Sequence, residues 1–252
     1  MSAQTSGRRL TQYDVCIFDL YGTLVDIHTD ENQPSLWRRM AGFTASHGAA
    51  WEAGALRQAY FRLAAAAESR LQERDRDLPC ACPEIDLAPV LAGLYAEKGV
   101  TAELPLIAET AWFFRQVSTS RLRLYAGARD LLRSLRTQGR GVYLLSNAQS
   151  LFTRPELALL GLAEEFDGIA LSSEEGVKKP DPRFFRALLD REGLRPARCL
   201  MIGNDPLCDG QGARAAGLDA WVIRSALSPR GIAAGYDQEG MDLNRLRRML
   251  TK

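Results

Sequence analysis

The sequence predicts an α/β fold in which a parallel sheet, with helices on both faces, carries an inserted bundle of helices. Three observations support this. Short apolar runs of strand length recur at Val15–Asp19, Gly141–Ser146, Asp167–Leu171, Cys199–Ile202 and Ala220–Ile223. From Gly127 onward these runs alternate with amphipathic stretches, the pattern of successive β-α units. Between about residues 30 and 120 the alternation stops, and four helix-compatible stretches follow one another without a convincing strand.

The elements follow in order. Val15-Cys16-Ile17-Phe18 reads as a buried strand that delivers Asp19 to its carboxyl end, and Gly22-Thr23 allows a sharp turn after it. Pro34–His47, Trp51–Glu73, Ile85–Lys98 and Leu104–Val117 form the helical run. Its alanine tract at Ala64–Ala67 needs only the helix propensity of alanine, and the charged stretch from Arg74 to Pro83 separates the middle pair. Asp130–Gln138 places Leu131, Leu132 and Leu135 on one face and ends at Gly139; Pro182–Glu192 starts with proline in its first turn and ends at Gly193. Met241–Lys252 reads as a short basic amphipathic helix docked on the core. The expected division is a Rossmann-like α/β core domain, 1–29 and 121–252, and a helical cap domain, 30–120. Its hinges would be linkers near Asp26–Asn32 and Val117–Tyr125. There are no internal repeats.

Composition narrows the function classes. Of 252 residues, 46% are apolar and 25% charged, as in ordinary globular enzymes, and the net charge of +1 gives no reason to expect nucleic acid or an anionic membrane as partner. No apolar run approaches the roughly 18 residues a membrane helix needs, and the polar start Met1–Gln12 lacks a signal-peptide core, so a cytoplasmic location is expected. Five cysteines do not suggest a disulfide framework. Cys16 and Cys199 fall in strand-like runs, while Cys80-Ala-Cys82 has no second Cys/His pair to complete a metal site. With only His28 and His47, Ser-His-Asp, Cys-His and multi-histidine zinc chemistries are largely excluded. Oligomeric state has no signal here.

Four strand ends carry candidate chemistry. Asp19 stands where open parallel sheets place their reactive groups. Ser146-Asn147, after Val142–Leu145, offers a hydroxyl and turn N–H groups for an anion, or equally a helix cap. Lys179, fixed by Pro180 within Gly176-Val177-Lys178-Lys179-Pro180-Asp181-Pro182, can hold an ammonium against two negative groups, with Lys178 facing solvent. Asn204, Asp205 and Asp209, after Met201-Ile202, are oxygen ligands of the kind a hard cation such as Mg²⁺ takes. Gly210-Gln211-Gly212-Ala213-Arg214-Ala215 matches a dinucleotide fingerprint by letters only, because Gly203 to Asp209 separate it from its strand.

These four motifs, in this order, resemble those of the haloacid dehalogenase-like hydrolases, over about residues 10–30 and 125–225. The resemblance implies Asp19 as nucleophile, Lys179 and Asp209 as catalytic partners, and Tyr21, Thr23, Ser146 and Asn147 as substrate-binding residues. It implies Mg²⁺ held by Asp19, the Tyr21 carbonyl and either Asn204 or Asp205. One departure is Tyr21, standing where most phosphatases of the superfamily carry a second Asp that protonates the leaving oxygen. Three readings follow: a Mg²⁺-dependent phosphatase of a small phosphorylated metabolite, a metal-independent 2-haloacid dehalogenase, and a catalytically weak Mg²⁺-binding regulatory protein. In the second, Trp37-Arg38-Arg39 would supply the arginine for the haloacid, although Phe185 replaces a tyrosine common in such enzymes. His28 reads as a solvated residue of the linker.

Overall fold

The computed structural model describes residues 9–78, 81–232 and 234–251. The chain opens with β1 (Val15–Phe18) and β2 (Val25–Thr29), then four helices, α1 (Pro34–Ser46), α2 (Ala53–Arg74), α3 (Leu87–Ala96) and α4 (Leu104–Ser118). It continues through β3 (Thr119–Leu124), α5 (Ala128–Thr137), β4 (Gly141–Ser146), α6 (Ser150–Leu159), β5 (Gly168–Leu171) and the single turn α7 (Ser172–Glu175). The last part holds α8 (Pro182–Arg191), β6 (Cys199–Gly203), the short α9 (Gly212–Ala215), β7 (Asp219–Val222) and α10 (Leu243–Leu250).

Five strands form one sheet in the order β5-β4-β1-β6-β7, and every pairing is parallel. Alternation along β1 divides the core between the two faces, as the pleat requires. Cys16 and Phe18 pack with Leu131, Leu132 and Leu135 of α5, while Ile17 packs with Phe184, Phe185 and Leu188 of α8. Helix α10 buries Leu243, Leu246 and Leu250 on the first face, each worth about 2 kcal/mol of apolar transfer as an upper estimate. No helix among the described residues is long and apolar enough to cross a membrane.

Register is what builds the site. Phe18 lies opposite Leu144 of β4 and Ile202 of β6, so Asp19 leaves the sheet between the ends of those two strands. Ser146 and Asn147 arrive from one side, Gly203 and Asn204 from the other. Helices α1–α4 have a core of their own, in which Trp37 packs on Tyr60 and Phe114 at ring-centroid distances of 5.4 and 5.7 Å.

Two features differ from expectation. The stretches expected as hinge linkers are β2 and β3, paired antiparallel from Val25↔Leu124 to His28↔Arg121. Buried Asp26 ties the ribbon together, meeting Arg121 Nε at 3.2 Å and Arg123 Nη2 at 2.9 Å. The strand signal was weak because Thr119–Leu124 carries exposed arginines and only Leu122 and Leu124 as alternating apolar residues. His28 is exposed on β2 and bonds Ser120 Oγ at 2.9 Å. A helix does follow the Ser146-Asn147 turn, but neither residue caps it: α6 begins at Ser150 with Gln149 at its N-cap, and it carries Pro155 inside. Cys80 falls outside the described residues, and no cluster of three or more His, Cys, Asp or Glu side chains among those described is arranged to hold a metal ion.

Candidate active site

Asp19, 7% exposed, sits at the floor of a cavity of about 190 Å³ that is also lined by Tyr21, Ser146, Asn147, Lys179, Asn204, Asp205, Cys208 and Asp209. Its Oδ1 accepts a hydrogen bond from Lys179 Nζ at 2.8 Å and from Ser146 Oγ at 3.4 Å, and its Oδ2 accepts from Thr23 Oγ1 at 3.2 Å. The Lys179 ammonium also donates to Asp209 Oδ1 at 2.7 Å and to the Leu145 carbonyl at 2.8 Å. Burial disfavours that ammonium, but Asp19 and Asp209 outweigh burial and hold its pKa above the ordinary lysine value. Burial pushes the Asp209 carboxyl up to about 6, with Asp19 adding to the rise and Lys179 opposing it.

Each side chain is held by its own local device. The Asp209 Oδ2 accepts the main-chain N–H groups of Asn204 and Asp205 at 2.9 and 3.0 Å. Only a glycine admits this, since a Cβ on Gly203 would lie 2.1 Å from that oxygen. Asp209 follows from a wide helical turn, Pro206–Gln211, in which Gly210 N reaches back to the Asp205 carbonyl at 3.1 Å. Asn147 clamps the Lys179 main chain from both ends of its amide: Nδ2 donates to the carbonyl at 2.9 Å and Oδ1 accepts from the N–H at 2.8 Å.

The sequence-derived residues thus converge on one cavity, with distinctions that sequence alone did not draw. Thr23 is fully buried and donates to Asp19 and to Asn204 Oδ1 (3.3 Å) rather than facing open space. Of the two residues left open, Asn204 Oδ1 accepts from the Thr23 hydroxyl that also bonds Asp19, whereas Asp205 Oδ1 caps the next turn by accepting from Leu207 N and Cys208 N at 2.8 and 3.0 Å. Gly22 has φ 86°, and a Cβ there would come within 2.4 Å of Asn204 Nδ2, so glycine is what lets the loop after Asp19 lie against Asn204. The phenol of Tyr21 donates to Glu156 Oε2 and lies 3.0 Å from Thr153 Oγ1. Burial, reinforced by the Glu156 charge, raises its pKa further above the tyrosine value, so it stays protonated and occupied. The fingerprint-like Gly212 packs against Phe185 and Pro180 Cα, where a Cβ would meet both at 2.9 Å, and has a packing reason of its own.

A second, larger cleft of about 450 Å³ adjoins the cavity and shares Tyr21 and Asn147 with it. Its walls come from both parts of the fold, including Tyr60 and Phe61 of α2, Arg115 of α4 and Phe152 of α6. Trp37, Arg38 and Arg39 line neither space, since Trp37 is core and Arg39 lies over the Phe113 ring at 5.6 Å. Arg115 is the guanidinium that reaches the region, and it is paired with buried Glu156 at 2.6 Å. Sequence reading missed Arg115, Glu156 and Thr153, which look like ordinary residues of amphipathic helices. It also missed the loop around Ser225–Pro229, where Ser228 Oγ donates to the Asn204 carbonyl at 2.8 Å and Leu227 and Pro229 line the cavity. Lys178 is partly exposed, with Nζ 3.7 Å from Glu84.

A family model of the haloacid dehalogenase-like hydrolases matches residues 13–217. The chain belongs to that family. A phosphoserine phosphatase of Thermus thermophilus is 37% identical over 131 residues, which is 52% of each chain. A glyceraldehyde 3-phosphate phosphatase of Methanothermobacter thermautotrophicus is 32% identical over 115 residues, 46% of this chain and 51% of that one. The chain spans about half the length of the curated relatives it matches. Among solved structures, a phosphatase from Thermococcus onnurineus has a TM-score of 0.56 at 20% identity, covering 94% of this chain and 97% of that one. An L-2-haloacid dehalogenase also has a TM-score of 0.56, at 22% identity, covering 94% and 98%. The shared architecture therefore does not separate the two chemistries.

Proposed function

We propose that the protein is a phosphatase acting on a small phosphorylated metabolite, with Asp19 as nucleophile and α1–α4, about residues 30–120, as a cap over the site. The observation that carries this reading is the Lys179 ammonium 2.8 Å from the Asp19 carboxylate at the floor of a confined cavity at the strand ends. The phosphatase relatives support it.

In the first step an Asp19 oxygen attacks phosphorus and the bond to the leaving oxygen breaks, giving an aspartyl-phosphate. Water then attacks that phosphorus, releases phosphate and restores the carboxylate. Lys179 offsets charge beside Asp19, and the Ser146 and Thr23 hydroxyls donate to the same carboxylate at 3.4 and 3.2 Å. Asp209 acts as a positioning residue, because its oxygens are taken by Lys179 and the Asn204 and Asp205 amides.

The donor set fits Mg²⁺. Asp19 Oδ2 and Asn204 Oδ1 both bond the one Thr23 hydroxyl, so two hard oxygens lie close together, and a single lysine charge stands against Asp19 and Asp209. Asp19, Asn204 and the Tyr21 carbonyl would hold the ion, with Asp205 beside them. When bound it would offset the charge of the incoming phosphoryl group.

Leaving-group chemistry follows from Tyr21. Its phenol is committed to Glu156, so the residue beside the nucleophile has no proton to offer, and substrates whose leaving group departs unprotonated are favoured. That same observation favours the second reading, a 2-haloacid dehalogenase, because halide leaves without a proton. A screen of phosphate esters and acyl phosphates with and without Mg²⁺, beside chloride release from 2-chloropropionate, tests both. Mg²⁺-dependent phosphate release that is abolished in Asp19→Asn supports the first. Chloride release alone replaces it with the second. Mg²⁺ binding without either activity leaves the regulatory reading.

A further inference from the structure

Asn147 and Gln149 lie two residues apart in the turn between β4 and α6, and both use a whole side-chain amide to grip main chain. Asn147 grips Lys179, as described. Gln149 grips the connection between α2 and α3: its Nε2 donates to the Ile85 carbonyl at 2.8 Å and its Oε1 accepts from Leu87 N at 3.0 Å. Both residues line the 450 Å³ cleft, and so do Ile85 and Leu87. The same connection runs along the lysine loop as a strand-like partner. Lys178 N donates to the Cys82 carbonyl at 2.9 Å, Glu84 N donates to the Gly176 carbonyl at 3.2 Å, and Pro83 bridges Val177 antiparallel.

The two clamps are separable. The amide grip of Asn147 on Lys179 and the ammonium contacts with Asp19, Asp209 and Leu145 do not involve Gln149. Ile85 and Leu87 receive their side-chain amide grip from Gln149. Resting on the phosphatase reading, we propose that Gln149 is a positioning residue for substrate selection. It fixes Ile85 and Leu87 as the apolar wall that receives the leaving group, while Asn147 fixes the lysine that serves the phosphoryl group. The leaving group accepted best is therefore large enough to touch that wall and apolar on the side that meets it, while Glu31, Glu68, Glu84 and Arg115 line other parts of the cleft. Small leaving groups are turned over without its help.

The test compares acetyl phosphate with benzoyl phosphate, whose leaving acids are similar in strength and differ in apolar size. In wild type, benzoyl phosphate is expected to be the better substrate. Gln149→Ala is expected to lower kcat/KM for benzoyl phosphate roughly tenfold, mainly through KM, while acetyl phosphate stays within about twofold. Gln149→Glu keeps the acceptor for Leu87 N but cannot donate to Ile85, and should fall between. Amide hydrogen exchange of the full chain provides a readout independent of turnover. Leu87 N–H exchanges faster in Gln149→Ala, while Lys179 N–H is unchanged. Equal loss on both substrates, an unchanged benzoyl preference, or unaltered exchange at Leu87 overturns the proposal. A wild type inactive on every phosphoryl donor removes the phosphatase reading instead, and the exchange result alone then decides the clamp.

Discussion

Replacing Lys179 by Met removes one charge from a site that has no spare. The side chain is 2% exposed and its ammonium meets Asp19 at 2.8 Å and Asp209 at 2.7 Å. Methionine fills most of the volume, so packing changes little, but two carboxylates are left facing each other without a counterion. Breaking a buried pair by removing one partner costs about 3–5 kcal/mol. The adjoining cavity admits water, which places the cost near the lower figure, about 3 kcal/mol. For a chain of this length that lowers Tm by about 6–12 °C. The loss should also depend on pH. Asp209 is already pushed up to about 6 by burial, and without Lys179 opposing the rise it climbs further. A folded pKa raised above the unfolded value stabilises most below about pH 4 and loses that contribution as pH rises through the folded value. With a chelator present, the variant's deficit in Tm should therefore be smaller at pH 4.5 than at pH 7.5. Turnover should fall by about 10²–10³, the usual effect of losing one preorganised charge at a reacting centre. Differential scanning fluorimetry at the two pH values and phosphate release at neutral pH measure both effects. A variant with wild-type Tm, no pH trend and near-normal turnover would refute the reasoning.

Other outcomes follow from the same geometry. Gly22→Ala forces a side chain into left-handed backbone and within 2.4 Å of Asn204 Nδ2, so stability should drop by about 1–3 kcal/mol and Mg²⁺ should protect the fold less against heat. Tyr21→Phe removes a donor from buried Glu156 and should cost about 1–3 kcal/mol in urea unfolding, with no change in how rate depends on the leaving group. Across a series of phosphate esters the rate should climb steeply as the leaving group becomes more acidic, with acyl phosphates ahead of alkyl esters by about 10² or more, and a flat series would contradict the assignment of Tyr21. Arg115→Met strands Glu156 and should destabilise the chain by about 3 kcal/mol, whereas the double change of Arg115 and Glu156 to apolar residues should recover most of that loss.

The sheet was legible because its strands are short apolar runs bounded by glycine and polar residues. Val15–Phe18 and Gly141–Ser146 need no tertiary information to read as buried strands. Asp19 and Ser146 were legible for a related reason, since each stands at the end of such a run and a parallel sheet gathers strand ends on one edge; Lys179 and Asp209 lie beyond the ends of β5 and β6 and were placed by the resemblance of their motifs to the family's. The β2–β3 ribbon was hidden because its pairing partners are separated by the whole helical insert, and polar Asp26, Arg121 and Arg123 blur the alternation. Arg115, Glu156 and Gln149 were hidden because a polar residue on an amphipathic helix or in a turn gives no sign that it meets a distant backbone or a buried charge. That Asp205 is taken up in capping the following turn, through Leu207 N and Cys208 N, while Asn204 shares the Thr23 hydroxyl with Asp19, is not visible in the order of the residues.

A single turnover in ¹⁸O-enriched water labels the Asp19 carboxylate when an ester on that residue is cleaved at its carboxyl carbon, as after halide displacement, and leaves it unlabelled when water attacks phosphorus. Phosphoryl transfer is therefore read from an acid-quenched turnover with a ³²P-labelled acyl phosphate. Radiolabel held covalently on Asp19 is the expected result, with no ¹⁸O gained by that residue. An active preparation that never carries phosphate on Asp19 contradicts the account, and ¹⁸O entering the Asp19 carboxylate during halide release would assign the chain to the haloacid reaction instead.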